Sequence, residues 1–279
     1  MDSTGWNWKW DPSLYAGSAE HYAVGRMAYP AALADAVRDE LGLDGRGRLL
    51  DVGCGPGSLT LLLAPLVEEA VGVDADGDML VTAAGRANQA GLTNTTWRRL
   101  RAEELPADLG SFRVVTFAQS FHWMDQPLVA ERVRGMLTPD GAWVHVGATT
   151  HRGVEGTDAL PHPRPPWDDI DKLVARYLGP VRRAGQGTLP TGTRPGEEEV
   201  MRAAGYTGPA RVVVGGNEIE ERTIDDVAAS VFSLSSSTPH LFGPDLHSFE
   251  ADLRALLTAA ADNGHFSERR REIEAVIWR

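Results

Sequence analysis

The sequence predicts an α/β fold, a doubly wound and mainly parallel sheet with helices on both faces. Three observations predict it. From residue 48 onward short apolar runs alternate with amphipathic stretches of helical period. The first run, Leu49-Leu50-Asp51-Val52, ends in the glycine turn Gly53-Cys54-Gly55-Pro56-Gly57, and a helical stretch follows at once. The second run, Val71-Gly72-Val73, ends in the acid Asp74. A strand, a glycine turn and a helix N-terminus in succession form a nucleotide-type cradle, because glycines let the backbone approach a ligand with no Cβ in the way. Asp74 falls roughly 20 residues after the first glycine, where a ribose-binding carboxylate is expected in such folds.

Taken in order, the chain opens on a segment dense in aromatics. Trp6, Trp8 and Trp10 alternate with polar residues, and Tyr15, His21, Tyr22 and Tyr29 follow. Alternation at period two suits a half-buried strand. The same aromatics also suit packing on the outside of the domain, or a flap over a ligand in which Trp6, Trp10 and Tyr22 would meet the substrate. Pro30 opens a helix over Ala31 to Leu41, as prolines favour the first helical turn. Arg26 just before it is either a surface charge or a partner for an anionic group. Strands are then expected at Arg48 to Val52, Ala70 to Asp74, Thr95 to Leu100, Arg113 to Ala118 and Ala142 to Val146. Helices are expected between them at Ser58 to Val67, Gly77 to Ala90 and Gln126 to Leu137, with Thr138-Pro139-Asp140-Gly141 as a turn before the fifth strand. The second half begins with a Gly, Pro and Thr-rich loop over His151 to Pro166. Helices are expected at Trp167 to Leu178, Glu197 to Ala204, Ile224 to Leu234 and Asp245 to Ala261, and strands at Arg211 to Glu221 and Ile273 to Trp278.

The 279 residues suffice for one large domain with an ample core. No repeat or linker divides them, so a single domain over 1–279 is expected. A net charge of -12 argues against a general nucleic-acid binder but leaves a small neutral or cationic ligand open. Cys54 is the only cysteine, so no internal disulfide can form, and inside the glycine turn it reads as a small packing residue. The start, Met1 to Gly5, is neither basic nor apolar, and the longest apolar run, Leu59 to Val67, is too short to span a membrane. A cytoplasmic protein, monomer or homodimer, with a small-molecule partner and no membrane is the expectation. No His, Cys and carboxylate cluster has metal-ligand spacing, so no metal is expected.

The glycine turn discriminates between nucleotides. A dinucleotide site wants Gly-x-Gly-x-x-Gly, whereas here Gly57 comes one position early and Ser58 takes the place of the third glycine. Gly53-x-Gly55-x-Gly57 after Leu-Asp-Val resembles the first motif of class I S-adenosylmethionine (SAM)-dependent methyltransferases. Val71 to Asp76, Arg101-Ala102-Glu103-Glu104-Leu105-Pro106 and Phe117-Ala118-Gln119-Ser120-Phe121-His122-Trp123 follow in family order, and the resemblance covers roughly residues 20 to 148. It implies a seven-stranded Rossmann-like sheet of order 3-2-1-4-5-7-6 with the seventh strand antiparallel. Arg211 to Glu221 would be strand six and Ile273 to Trp278 strand seven. Residues 1–47 would form an aromatic lid and helix, 48–150 the SAM-binding core, and 151–279 a variable half whose helical insertion, about 222–270, covers the substrate.

The resemblance also implies roles. Gly53, Gly55 and Gly57 would line the amino acid end of SAM, whose carboxylate is the anionic group that Arg26, read from its charge and place alone, could reach. Asp74 would take both ribose hydroxyls, since a carboxylate offers two acceptors to a vicinal diol. Ala75 and Met79 would flank the adenine, Ala102 and Glu103 its edge, and Gln119 the methionine moiety. Where the family often has an Asp, Arg101 precedes the Ala-Glu pair.

Methyl transfer from a sulfonium needs alignment and exclusion of water, plus a base only where the nucleophile carries a proton. His122 beyond strand four is the first base candidate and His151 beyond strand five the second. The other reading of His122 and Trp123 has them pack on the cofactor pocket, with Trp123 also bordering the substrate. His145, inside strand five, reads as a core histidine. The implied activity is methyl transfer to a small-molecule acceptor, a secondary metabolite among them, at oxygen ahead of nitrogen or carbon. Two alternatives stand: a methyltransferase fold that binds SAM but catalyses a reaction such as cyclisation, and an NAD(P)-dependent oxidoreductase.

Overall fold

A computed structural model describes residues 11–184, 187–188 and 196–279. Its frame is one sheet of seven strands: β1 Arg48–Val52, β2 Glu69–Asp74, β3 Thr95–Arg99, β4 Phe112–Ala118, β5 Leu137–Gly147, β6 Ala210–Gly215 and β9 Glu272–Trp278. They lie side by side in the order β3-β2-β1-β4-β5-β9-β6. Counted within the sheet alone, this is the expected 3-2-1-4-5-7-6. The first five run parallel, and β9 is antiparallel to both β5 and β6. The central strands are continuous apolar runs because helices cover both faces. Alternate residues feed two cores. Leu49, Val114 and Val144 face α2 (Ala31–Leu41) and α3 (Ser58–Leu63). Leu50, Val115 and Trp143 face α5 (Gln126–Arg134) and α7 (Glu197–Ala203). The period of two in a strand makes this division.

Local chemistry moves several element boundaries. Pro65 cannot donate to a helical ladder, so the predicted Ser58 to Val67 helix ends at Leu63 and passes into a 3-10 turn over Ala64–Leu66. The turn at Thr138 to Gly141 lies within β5 rather than before it. Leu137 already pairs with Phe112, and the register resumes only at Ala142 with Val114. Strand six stops at Gly215, short of the predicted Glu221. Gly215 and Gly216 both have positive φ, at 77° and 89°, and turn the chain out of the sheet. Residues beyond them form β7 (Ile219–Thr223), which pairs antiparallel with β8 (His265–Arg269) as a separate ribbon.

That ribbon belongs to a third apolar cluster over the C-terminal half. α6 (Trp167–Leu178), α8 (Ile224–Phe232) and α9 (Leu246–Ala260) pack there around Phe232, Phe242, Phe249 and Phe266. The short helix α1 (Ala19–Gly25) docks this cap onto the N-terminal segment. Gly25 makes the docking close, since a Cβ at that position would lie 2.3 Å from the Ser230 nitrogen on α8. A buried ion pair holds the junction. Arg222 on β7 and Glu268 on β8, each about 3 % exposed, meet at 2.9 Å. Arg222 also donates to the carbonyls of Gly25 (2.9 Å), His151 (3.0 Å) and Asp226 (2.8 Å), and to the Ser230 hydroxyl. Glu268 accepts from the Gly153 amide (2.8 Å) and the Trp167 indole (2.7 Å).

Removing one partner leaves the other charged and buried, which costs about 3–5 kcal/mol. Arg222→Ala is therefore expected to lower unfolding free energy by that amount in a denaturant titration. A loss under about 1 kcal/mol, the range of a surface pair, would contradict the role given to this pair.

Candidate active site

The parallel strands β1, β2 and β4 all end at one edge of the sheet, where open α/β sheets hold ligands. A cleft opens there, the concave kind of place where small-molecule sites are found. Gly53 and Gly55 after β1, Asp74 and Ala75 at the end of β2, and Gln119 after β4 all line it. The ends of β1 and β4 are drawn together by a bond from the Ser120 hydroxyl to the Val52 carbonyl at 2.6 Å. Gly53, at φ 67°, permits this approach, because a Cβ there would stand 2.6 Å from that of Ser120.

Asp74 is held in a fixed pose. One carboxylate oxygen accepts from the Gly55 amide at 2.8 Å, and the other from the Asp76 amide at 2.9 Å. Each oxygen keeps a further acceptor site, so the group can receive two more hydroxyls side by side. Burial pushes its pKa up to about 6, against the pull of those two backbone donors, and the nearby Asp76 and Asp51 push the same way. Asp51, inside β1, is itself buried. Its two oxygens accept from the hydroxyls of Thr60 (2.5 Å) and Thr116 (2.8 Å), and burial raises its pKa as well.

The wall next to Asp74 is set by α4 (Gly77–Gln89), whose start is capped by the Asp76 side chain on the amides of Asp78 and Met79. This cap seats the buried Met79 against the cleft. On the opposite side a 3-10 turn over Ala102–Glu104 presents Ala102 and Glu103. Both Glu103 oxygens are engaged within the protein, one by the Asp125 amide at 3.0 Å and one by Arg101 at 3.1 Å. The mouth is aromatic. Tyr15 packs edge-on against Tyr22 and Trp123, with ring centres 6.2 and 6.1 Å apart, and all three line the cleft.

Other candidate residues are placed elsewhere. Gly57 does not line the cleft: it precedes α3, with the Trp97 ring against it. Arg26 lies on the far side of the glycine turn, in a smaller cavity bordered by Gly53, Gly55 and Tyr22. Its guanidinium covers the Tyr22 ring at 4.5 Å and donates to the Ser233 hydroxyl at 2.8 Å. His122 is half-buried and does not line the cleft, and burial lowers its pKa to about 4. His145, beyond it, faces Glu197 at 3.2 Å. His151 sits edge-on to Trp167, and burial, with the charges of Arg26, Arg152, Arg222 and Arg271, pushes its pKa well below the usual histidine value. His162 contacts Asp262 and Glu221. Trp6 and Trp10 lie outside the described residues. No group of three or more His, Cys, Asp or Glu among the described residues could hold a metal, and none of their helices is long and apolar enough to cross a membrane.

The cleft also uses Leu14, Leu100, Ser120 and Met124, which sequence reasoning does not single out. Ser120 and Met124 border the Phe121 to Trp123 run and were within reach of it. Leu14 and Leu100 are ordinary apolar residues with no distinguishing pattern.

Residues 49–141 match the family described as a methyltransferase domain. An uncharacterised methyltransferase of Bacillus subtilis is 33% identical over 100 residues, 36% of this chain and 40% of that protein. A ubiquinone biosynthesis O-methyltransferase of Azorhizobium caulinodans is 31% identical over 164 residues, 56% of this chain and 62% of that protein. The chain thus spans less than two thirds of the length of either relative. Among solved structures the [4+2]-cyclase SpnF superposes with a TM-score of 0.50 at 19% identity, covering 91% of this chain and 84% of that one. At that identity the likeness concerns the fold alone.

The raised pKa of Asp74 has a measurable sign. Its folded value near 6 lies above the ordinary carboxylate value of about 3.9. The charged form is thus disfavoured by folding, and this group stabilises the protein increasingly as pH falls from about 6 to about 4. A carbon-detected NMR titration of the ligand-free protein is expected to show an Asp carboxyl with a midpoint near 6 that disappears in Asp74→Ala. A midpoint near 4 would remove the desolvated environment assigned to it.

Proposed function

From the premise that this chain carries a class I methyltransferase domain, we propose that the cleft binds S-adenosylmethionine and that the protein transfers its methyl group to a small-molecule acceptor, at oxygen ahead of nitrogen or carbon. The observation that carries this reading is Asp74: a strand-end carboxylate at the cleft, anchored by two backbone amides, with acceptor capacity left on both oxygens. That pair of acceptors fits the two hydroxyl donors of a ribose diol. Beside it the backbone of Gly53 and Gly55 takes the amino acid end, and Arg26, across the same turn, faces the carboxylate. Ala75 and Met79 flank the adenine. Ala102 marks its edge through the backbone, since the Glu103 carboxylate is already engaged. Gln119 stands by the methionine moiety.

SAM when bound supplies a methyl group on a positively charged sulfur, already activated for displacement. The residues of this chain supply position and dryness. Leu14, Tyr15, Tyr22, Trp123 and Met124 wall the cleft with apolar and aromatic surface that keeps water from competing with the acceptor. The preference for oxygen takes its support from the ubiquinone biosynthesis O-methyltransferase among the relatives. A base from His122 or His151 would have to act from outside the cleft, so the reading asks for an acceptor that is nucleophilic as it arrives or that gives its proton to water.

Three outcomes test this. Asp74→Ala is expected to weaken S-adenosylhomocysteine binding by roughly 1.5–3 kcal/mol in calorimetry, the scale of hydrogen bonds to a charged group. Because protonation removes acceptor capacity, wild-type affinity should fall as pH drops below about 6. His122→Ala and His151→Ala are expected to keep turnover within about tenfold, whereas loss of a general base costs 10²–10⁴-fold, roughly. Acceptor turnover without any S-adenosylhomocysteine would point instead to a cyclase-like reaction, and thermal protection by NAD(P) but not by SAM to an oxidoreductase.

A further inference from the structure

The cofactor cleft has a neighbour. An open groove lies along the C-terminal end of β5 and the start of β9, and Gln119 lines both this groove and the cleft. The two spaces therefore meet at one residue. Gln119 holds φ at 55°, a conformation that few non-glycine residues adopt. Strained backbone of this kind persists where the surroundings fix it.

The groove contrasts in charge with the acidic chain around it. Three consecutive arginines, Arg269, Arg270 and Arg271, line it. Two of them are neutralised: Arg269 by Asp158 at 2.7 Å, and Arg270 by Glu220. Arg271 is not. Its Nε donates to the Gly153 carbonyl at 3.1 Å, and no carboxylate of the described residues lies within ion-pair distance of it, the groove-lining Glu272 included. The bond to Gly153 fixes the plane of the guanidinium and leaves its two terminal nitrogens as a fork, the geometry that receives two oxygens of an oxyanion. Beside the groove, burial first and then the charges of Arg26, Arg152, Arg222 and Arg271 push the pKa of the half-buried His151 down.

We propose that Arg271 binds an oxyanion of the acceptor, carboxylate or phosphate, so that the methylated substrate is an acidic small molecule seated in the groove with its reacting atom toward Gln119. This rests on the methyl-transfer reading of the cleft and names the acceptor class for it.

The test separates the two. Calorimetry with S-adenosylhomocysteine alone judges the cofactor reading. Protein saturated with S-adenosylhomocysteine is then titrated with benzoate, phenyl phosphate and the neutral benzamide. At least one anion is expected to bind at least tenfold more tightly than benzamide, and the better of the two marks carboxylate or phosphate as the natural group. Arg271→Gln, whose amide can keep the Gly153 contact, should remove that preference while S-adenosylhomocysteine affinity stays within twofold. In the ¹⁵N spectrum of the wild type, the Arg271 Nε–Hε resonance should move with the favoured anion and stay still with benzamide, a readout that does not depend on the variant folding. Equal binding of all three probes, no binding of either anion, an Arg271→Gln protein that retains the preference, or an unmoved Nε–Hε resonance would each overturn the proposal.

Discussion

The buried contact between Arg222 and Glu268 decides how the C-terminal half sits on the sheet. Two charges about 3 % exposed carry a desolvation cost that their mutual attraction alone does not repay. What offsets it is the set of hydrogen bonds around them, which reach Gly25 on α1, Asp226 and Ser230 on α8, the backbone at His151 and Gly153, and Trp167 on α6. An apolar pair of similar volume could fill the space, but it would leave those carbonyls and that amide without partners. The pair therefore specifies where five segments meet, and the cap is positioned by directional bonds at its base and by the Phe cluster above them.

The cleft is bounded by two kinds of structure. On one side are strand ends that the sheet ladder fixes: Gly53, Asp74 and Gln119 stand where β1, β2 and β4 stop. On the other side is the aromatic mouth of Tyr15 and Tyr22, which depends on α1 and so on its docking to α8. Under the proposed reading, cofactor recognition falls to the sheet frame, while the aromatic surfaces offered to an acceptor take their placement from the cap. The rise in the Asp74 pKa belongs to this arrangement. Burial under the mouth withdraws water from the carboxylate, and two backbone amides only partly replace it.

Much of this was legible in the sequence, and the failures have local causes. The order of the sheet followed from the family resemblance that the motifs around Gly53, Asp74 and Gln119 carry, and the β9 strand was found within a residue at its start, Ile273 against Glu272. Strand six was overextended because Val212-Val213-Val214 is followed by residues of continuing strand character. The pattern could not distinguish one long strand from two strands separated by a glycine bend. The site was legible where its chemistry needs particular residue types, at a strand-end acid or a tight turn. It was not legible where any apolar residue would serve, as at Leu14 and Leu100. Arg222 and Glu268 look like ordinary surface charges in the sequence, since each lies in a charge-rich run, Glu218 to Arg222 and Glu268 to Glu272. Only the register of β7 against β8 turns them inward together.

The Gly25 contact has a consequence for how such a chain can diversify. With the backbone of α1 pressed against that of α8, and the Gly25 carbonyl bonded to both Arg222 and Ser230, the aromatic mouth and the cap form one mechanical piece. A cap grafted from another protein onto this frame would need to bring its own α1 or meet the same carbonyl in the same place. The mouth and the cap meet across 197 residues of sequence, from Gly25 to Arg222, yet they are heritable only as a unit, and recombination at the 222–270 boundary alone would break it.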